Sequence, residues 1–268
     1  MRNLFFAGLA VLALAACSPA ATTTATTSAT ASADLSAEPV SDLQSDVSPT
    51  AAYIVAAVAD AHRPAADRAR DALRHPAETL ALSQIKPGQK IGELLPGEGY
   101  FTRLFSDAVG AHGHVYPISR SATDQYEHSV LVGAANVTNV TAPYTAFTLP
   151  EPMDLIFTAQ NYHDFKINQY QMGDTVALDH LVFNSLKPGG VYVIIDHSAV
   201  AGTTMDQAHP LHRIDQAVVR REVESVGFIY DGESQILRNP ADPRTANVFD
   251  PSIRGHTDQF FMRFHKPG

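Results

Sequence analysis

Five consecutive apolar residues, Val191 to Ile195, follow the turn Pro188-Gly189-Gly190. A strand that is apolar at every position has no face to give to water. It must lie in a sheet covered on both sides, and in practice that means a parallel sheet with helices on each face. The rest of the chain from about Ala51 agrees. Lys90 to Leu95 reads as a short strand, Pro96-Gly97-Glu98-Gly99 as a tight glycine turn, and Tyr100 to Val109 as an amphipathic helix. Further strands are expected at His114–Ile118, Asn136–Val140 and Met153–Thr158, with helices at Asp124–Ala135 and Gln169–Leu186. Leu211 to Val226 reads as the last long helix. Phe228–Leu237 and Gln259–His265 have no helix between them, so they are expected to close the sheet as an antiparallel edge. Upstream, Ala51 to Leu73 reads as helix interrupted near Pro64, and Pro76 can open another over Ala77–Ser83.

Composition narrows the function. The chain has 268 residues and a formal net charge of -9, with no run of Lys and Arg, which excludes nucleic-acid-backbone binding. One cysteine, Cys17, excludes disulfide scaffolds and Cys-rich zinc modules, whereas 12 histidines keep a His/carboxylate metal site open. Met1-Arg2-Asn3 followed by the apolar run Leu4–Ala16 has the form of a signal segment, too short for a spanning helix. Its end, Leu14-Ala15-Ala16-Cys17, resembles the bacterial lipobox. By that resemblance residues 1–16 are a signal peptide and Cys17 is the lipidated first residue. Ser18 follows it rather than an inner-membrane retention Asp, which implies the outer membrane facing the periplasm. Residues 17–50 then form an Ala/Thr/Ser-rich tether without an apolar periodicity, and 51–268 the folded domain.

Four pieces of the domain resemble the class I S-adenosylmethionine-dependent methyltransferases: Glu93-Leu-Leu-Pro-Gly97-Glu-Gly99, Leu149-Pro-Glu-Pro-Met-Asp154, Leu186-Lys-Pro-Gly-Gly190 before Val191–Ile195, and the carboxy-terminal antiparallel strand. At finer grain, Arg63-Pro-Ala-Ala-Asp-Arg-Ala-Arg-Asp71, Arg74-His-Pro-Ala-Glu-Thr79, Asn161-Tyr-His-Asp164, Leu211-His-Arg-Ile-Asp215 and Leu237-Arg-Asn-Pro240 resemble a bacterial group known only as predicted methyltransferases. The resemblance covers roughly 60–268. It implies an α/β fold: a Rossmann-like, doubly wound, mostly parallel sheet with an antiparallel carboxy-terminal edge strand and helices on both faces. It also implies S-adenosylmethionine as cofactor and a small-molecule substrate. Glu93, Gly97 and Gly99 would hold the cofactor, with Tyr162 closing its pocket. The family pattern has glycine where this chain has Leu95, and an acid after the second strand where this chain has Tyr116-Pro-Ile-Ser119-Arg120. Asp124 is the nearest substitute, or else a helix cap. Gly97 and Gly99 also fit an ordinary strand-to-helix turn.

Ligands of a parallel α/β sheet bind beyond the carboxyl ends of its strands. Asn161-Tyr162-His163-Asp164, Asp196-His197 and His209–Asp215 all follow such ends. His163 or Asp164 is the expected general base, and Asn161 a substrate-positioning amide. Asp196, His197 and His212 are the candidate metal ligands. Asp196-His197 stands where catechol O-methyltransferase-like enzymes place an acid-amide pair, and histidine there favours zinc, manganese or iron over magnesium. The competing reading makes Asp196 a loop-amide acceptor, His209 a helix cap and His212 part of a network with Arg213 and Asp215.

An envelope lipoprotein does not ordinarily meet S-adenosylmethionine, a cytoplasmic compound. Either the cofactor is delivered, or the signal reading fails, or the fold is reused in a periplasmic ligand- or metal-binding module. The anchor is tested by itself: Cys17→Ala is expected to abolish palmitate labelling and to leave soluble or unprocessed protein. Unchanged labelling and membrane fractionation would refute it.

Overall fold

The computed structural model describes residues 42–43, 51–120 and 134–268, all within one compact unit, Pro39–Gly268. Seven strands form one sheet in the order β3-β2-β1-β4-β5-β7-β6. They are β1 Lys90–Leu94, β2 His114–Ser119, β3 Val140–Thr141, β4 Met153–Ala159, β5 Leu186–His197, β6 Ile229–Ser234 and β7 Gln259–His265. The first five pair in parallel. β7 runs antiparallel between β5 and β6, pairing Val191 with His265 and His197 with Gln259 at its two ends. The apolar run in β5 is buried on both faces, as its sequence requires. Val191, Val193 and Ile195 enter one core with Ile91, Leu155, Phe157 and Phe261, while Tyr192 and Ile194 enter the other with Ile156, Phe260 and Met262.

Helices supply both covers. α1 Ala52–Ala59, α4 Pro76–Leu82 and α5 Tyr100–Val109 pack on the first face, α6 Thr175–Ser185 and α8 Gln216–Ser225 on the second. α5 presents Tyr100, Phe101, Leu104, Phe105, Ala108 and Val109, a helical stripe that clamps Phe157 between Phe101 and Phe105 at ring separations of 4.8 and 5.0 Å. The helix expected over 51–73 is broken into α1, α2 Ala65–Arg68 and α3 Asp71–Arg74. Pro64 and the left-handed His75 (φ 44°) set these ends. Between α6 and α8 lies a short α7, Met205–Ala208. The last long helix starts at Gln216 rather than Leu211, because Pro210 tightens a 3-10 turn and His212 is left-handed at φ 53°. Asp215 then caps α8 through the Ala217 N–H. Asp42 bridges to Glu233 and Leu43 is buried in the first core, so the segment expected as tether touches the domain at these two residues. The expected helix over Asp124–Ala135 falls, but for its last two residues, outside the described residues, as do Cys17 and the signal segment.

Arg213 is wholly buried and forks onto Asp242 at 2.8 and 3.2 Å, with further bonds to the Ser198 and Ala246 carbonyls. Removing one partner of a buried ion pair strands the other charge. Arg213→Met is therefore expected to cost about 3–5 kcal/mol in urea denaturation. A loss within about 0.5 kcal/mol would contradict the pairing.

Candidate active site

The glycine loop lies at the carboxyl end of β1, next to the end of β4. Gly97 and Gly99 take positive φ, 54° and 77°, and Gly99 is the N-cap of α5. Leu95 is left-handed as well, at φ 48°. The backbone thus keeps the path that glycine would take at this position, although leucine costs about 1–2 kcal/mol there. Two contacts hold the turn: the Leu95 N–H donates to the Ile118 carbonyl at 3.1 Å, and the Asn161 amide donates to the Leu95 and Ala159 carbonyls at 3.2 and 2.6 Å. Asn161, expected to orient substrate, lines the cavity over this loop and also ties the loop to the end of β4 through its amide N–H groups.

A cavity of about 420 Å³ opens over this loop, lined by Glu93, Leu95, Gly97, Asn161 and Gln160 on the sheet side. Arg70, Arg74 and Arg254 line the other side. A second cavity of about 420 Å³ adjoins it, shares Arg70, Arg74, Gln160 and Arg254, and reaches His197, Phe249 and Gln259. Arg70 and Arg74 are set by α2 and α3. Asp67 receives Arg103 of α5 at 2.7 Å, while Asp71 receives Arg63 at 2.7 and 2.9 Å and the Tyr100 hydroxyl at 2.6 Å. Arg63, Arg70 and Arg74 then stand 5.4, 5.0 and 4.6 Å from the Tyr100 ring centre. Arg74 bonds Gln160 at 3.1 Å and pairs with no carboxylate among the described residues. Burial, and then the Arg70 charge, lower its pKa to about 10. The sequence reading missed Arg70 and Arg74, because their contacts with Tyr100 and Gln160 are long-range in sequence.

Glu93 is buried and accepts from the Thr102 hydroxyl. Burial pushes its pKa up to about 8, against smaller opposing effects of that bond, Arg103 and Arg74. The carboxyl is therefore largely protonated at neutral pH.

The histidines form a separate group. Asp196, wholly buried at the end of β5, accepts from the His163 N–H at 2.7 Å, from His163 Nδ1 at 2.8 Å and from the His197 N–H at 2.7 Å. Burial opposes charge on His163, but Asp196 and Asp164 outweigh it and raise its pKa to about 10. A group already protonated at neutral pH is no general base, so the structure corrects that expectation for His163. Burial drives His197 the other way, to about 3, and its Nδ1 bonds Thr257 at 2.7 Å. His163 lies 5.8 Å ring to ring from His197 and 5.5 Å from His212. The expected metal set Asp196, His197 and His212 does not converge, since Asp196 is spent on His163. The atoms that do come together belong to His163, Asp164 and His212. None of these three lines either cavity. Tyr162 is also corrected: it is wholly buried, donates to Asp179 at 2.7 Å, and packs in the second core rather than over the cofactor loop.

No family model and no curated protein matches the chain. Solved structures do. An S-adenosylmethionine-dependent methyltransferase from Aquifex aeolicus superposes with a TM-score of 0.52 at 17% identity, covering 74% of this chain and 92% of that one. This chain has the class I methyltransferase fold. A putative sarcosine dimethylglycine methyltransferase from Galdieria sulphuraria gives 0.55 at 16% identity, over 79% of this chain and 90% of its own. The cyclase SpnF gives 0.51 at 15% identity, over 78% and 85%. A fold shared by methyltransferases and a cyclase leaves the chemistry to the site.

Glu93 supplies a test of that site. Its folded pKa stands above the ordinary 4.5. The folded state therefore holds the proton more tightly than the unfolded one. Nothing is lost below pH 4.5, stability drains as pH rises from there to about 8, and the loss levels off above. Glu93→Gln should thus gain on the wild type by roughly 1 kcal/mol per pH unit between pH 5 and 8 in denaturation. A pH-independent difference would contradict the buried neutral carboxyl.

Proposed function

We propose that the domain is an S-adenosylmethionine-dependent methyltransferase acting on a small molecule. The observation that carries this reading is the left-handed Leu95, a strained residue kept in a glycine's conformation beside Gly97 and a strand-end acid. The donor set fits the cofactor. Glu93 offers a carboxyl to its cationic part, Arg74 offers an otherwise carboxylate-free guanidinium to its carboxylate, and the N-terminus of α5 faces the same loop. The cofactor supplies an electrophilic methyl group on sulfur. The protein's part is to seat it on the 93–99 loop and to hold the acceptor in the adjoining cavity beside His197 and Gln259. We further propose that the chain is anchored in the cell envelope through Cys17, with cofactor delivered to that compartment.

A second reading, an envelope ligand-binding module on the same fold, draws support from charge. With Glu93 neutral, the three guanidiniums at the rim outnumber the exposed Glu98, a balance that also suits an anion. Calorimetry of the full chain separates the two. On the first reading S-adenosylmethionine and S-adenosylhomocysteine bind one to one, Gly97→Val abolishes binding while circular dichroism stays that of a folded domain, and Arg74→Gln weakens it about tenfold through a lost charge-assisted bond. No binding at millimolar cofactor, with saturable binding of phosphate or a dicarboxylate, would replace the enzyme reading by the second.

A further inference from the structure

The His163–Asp164–His212 group lies outside both cavities and takes no part in the function proposed above. Three atoms meet there. Asp164 Oδ1 lies 3.1 Å from His163 Nε2 and 3.5 Å from His212 Nδ1. One ligand atom from each residue lies within 4.8 Å of the others. The Asp164 oxygen is buried, yet neither approach gives it a hydrogen-bond partner. Such spacings belong to another arrangement: atoms bound to one ion at about 2.0–2.2 Å in a tetrahedron stand about 3.4 Å apart.

We infer that His163, Asp164 and His212 form a three-ligand site for a divalent transition ion of the zinc class. Two further observations support it. His163 is backed by a carboxylate in the way metal-binding histidines are: Asp196 takes the Nδ1 proton at 2.8 Å and the backbone N–H at 2.7 Å, which fixes the ring with Nε2 toward Asp164, so that an ion taken up there replaces the Nε2 proton. His212 is held left-handed at φ 53° where the 3-10 turn meets the strand-like bridge at Ile214, a conformation unfavourable for histidine that brings its ring to Asp164. Two imidazoles and one carboxylate select zinc, manganese or iron over magnesium. Asp164 and His212 keep side-chain exposures of 21% and 16%, so a fourth position is left for water or a ligand oxygen. Phe249, which lines the second cavity, packs on His212 at 5.0 Å and relates the site to that cavity.

The test uses full-length chain purified without a histidine tag, stripped with chelator and titrated with Zn²⁺ by calorimetry. One ion per chain is expected. His212→Asn, chosen because asparagine tolerates the left-handed backbone, and Asp164→Asn should each weaken binding at least about tenfold, with metal-free thermal midpoints close to wild type. Asp196→Asn should weaken it about 10- to 100-fold through the ring it orients. His62→Asn, at a fully exposed histidine, is the control and should bind as wild type. Absence of saturable uptake, or His212→Asn and Asp164→Asn binding zinc as wild type, would overturn the site and leave the cluster as an ion-pair network.

Discussion

Asp196 is a charge with no water around it, and the functional end of the sheet is organised by how that charge is satisfied. Its oxygens take the backbone and ring of His163 from the segment after β4, and the next N–H of its own strand. An unpaired carboxylate there would cost several kcal/mol, so the post-β4 turn has no freedom to drift. Asn161 sits two residues before His163, and its amide clamps Leu95. The chain of contacts runs from a buried acid on β5, through the turn after β4, to the loop after β1. A left-handed leucine persists at the end of it because the surrounding structure over-determines its conformation.

Much of the architecture was legible in the sequence. The run Val191–Ile195 demanded a doubly covered sheet, and the helix Tyr100–Val109 and strand Gln259–His265 came out at the residues their patterns mark. Local breakers that act only in context were not legible. His212 takes a left-handed conformation that no propensity announces, and it shortens the helix read across it, while left-handed His75 separates α3 from α4. The site was legible as a set of segments and not as a set of roles. Strand ends correctly brought Glu93, Gly97, Asn161, Asp196 and His197 to one end of the sheet. Which side chains face ligand depends on partners far away in sequence: Asp179 for Tyr162, Asp196 for His163, Tyr100 for Arg74. Periodicity holds no information about such pairs.

The cavity beside the loop carries both signs in unequal measure. Arg70, Arg74 and Arg254 line the rim, and of the two acids that line the same cavity Glu93 is neutralised by its own burial while Glu98 is exposed. A cation entering beside Glu93 would shift this balance by favouring the ionised carboxylate, so that ligand binding and proton loss are linked. An anion entering alone would leave Glu93 protonated. The two functional readings therefore differ in proton traffic as well as in the ligand itself.

Proton release on binding is the most direct measure of the central claim, that the 93–99 loop and Glu93 together seat a cationic cofactor. Calorimetry with S-adenosylmethionine at pH 7, repeated in buffers of different ionisation enthalpy, counts those protons. The account predicts saturable binding with release of most of one proton per site, abolished in Glu93→Gln. Absence of binding, or binding with no proton released, would contradict it.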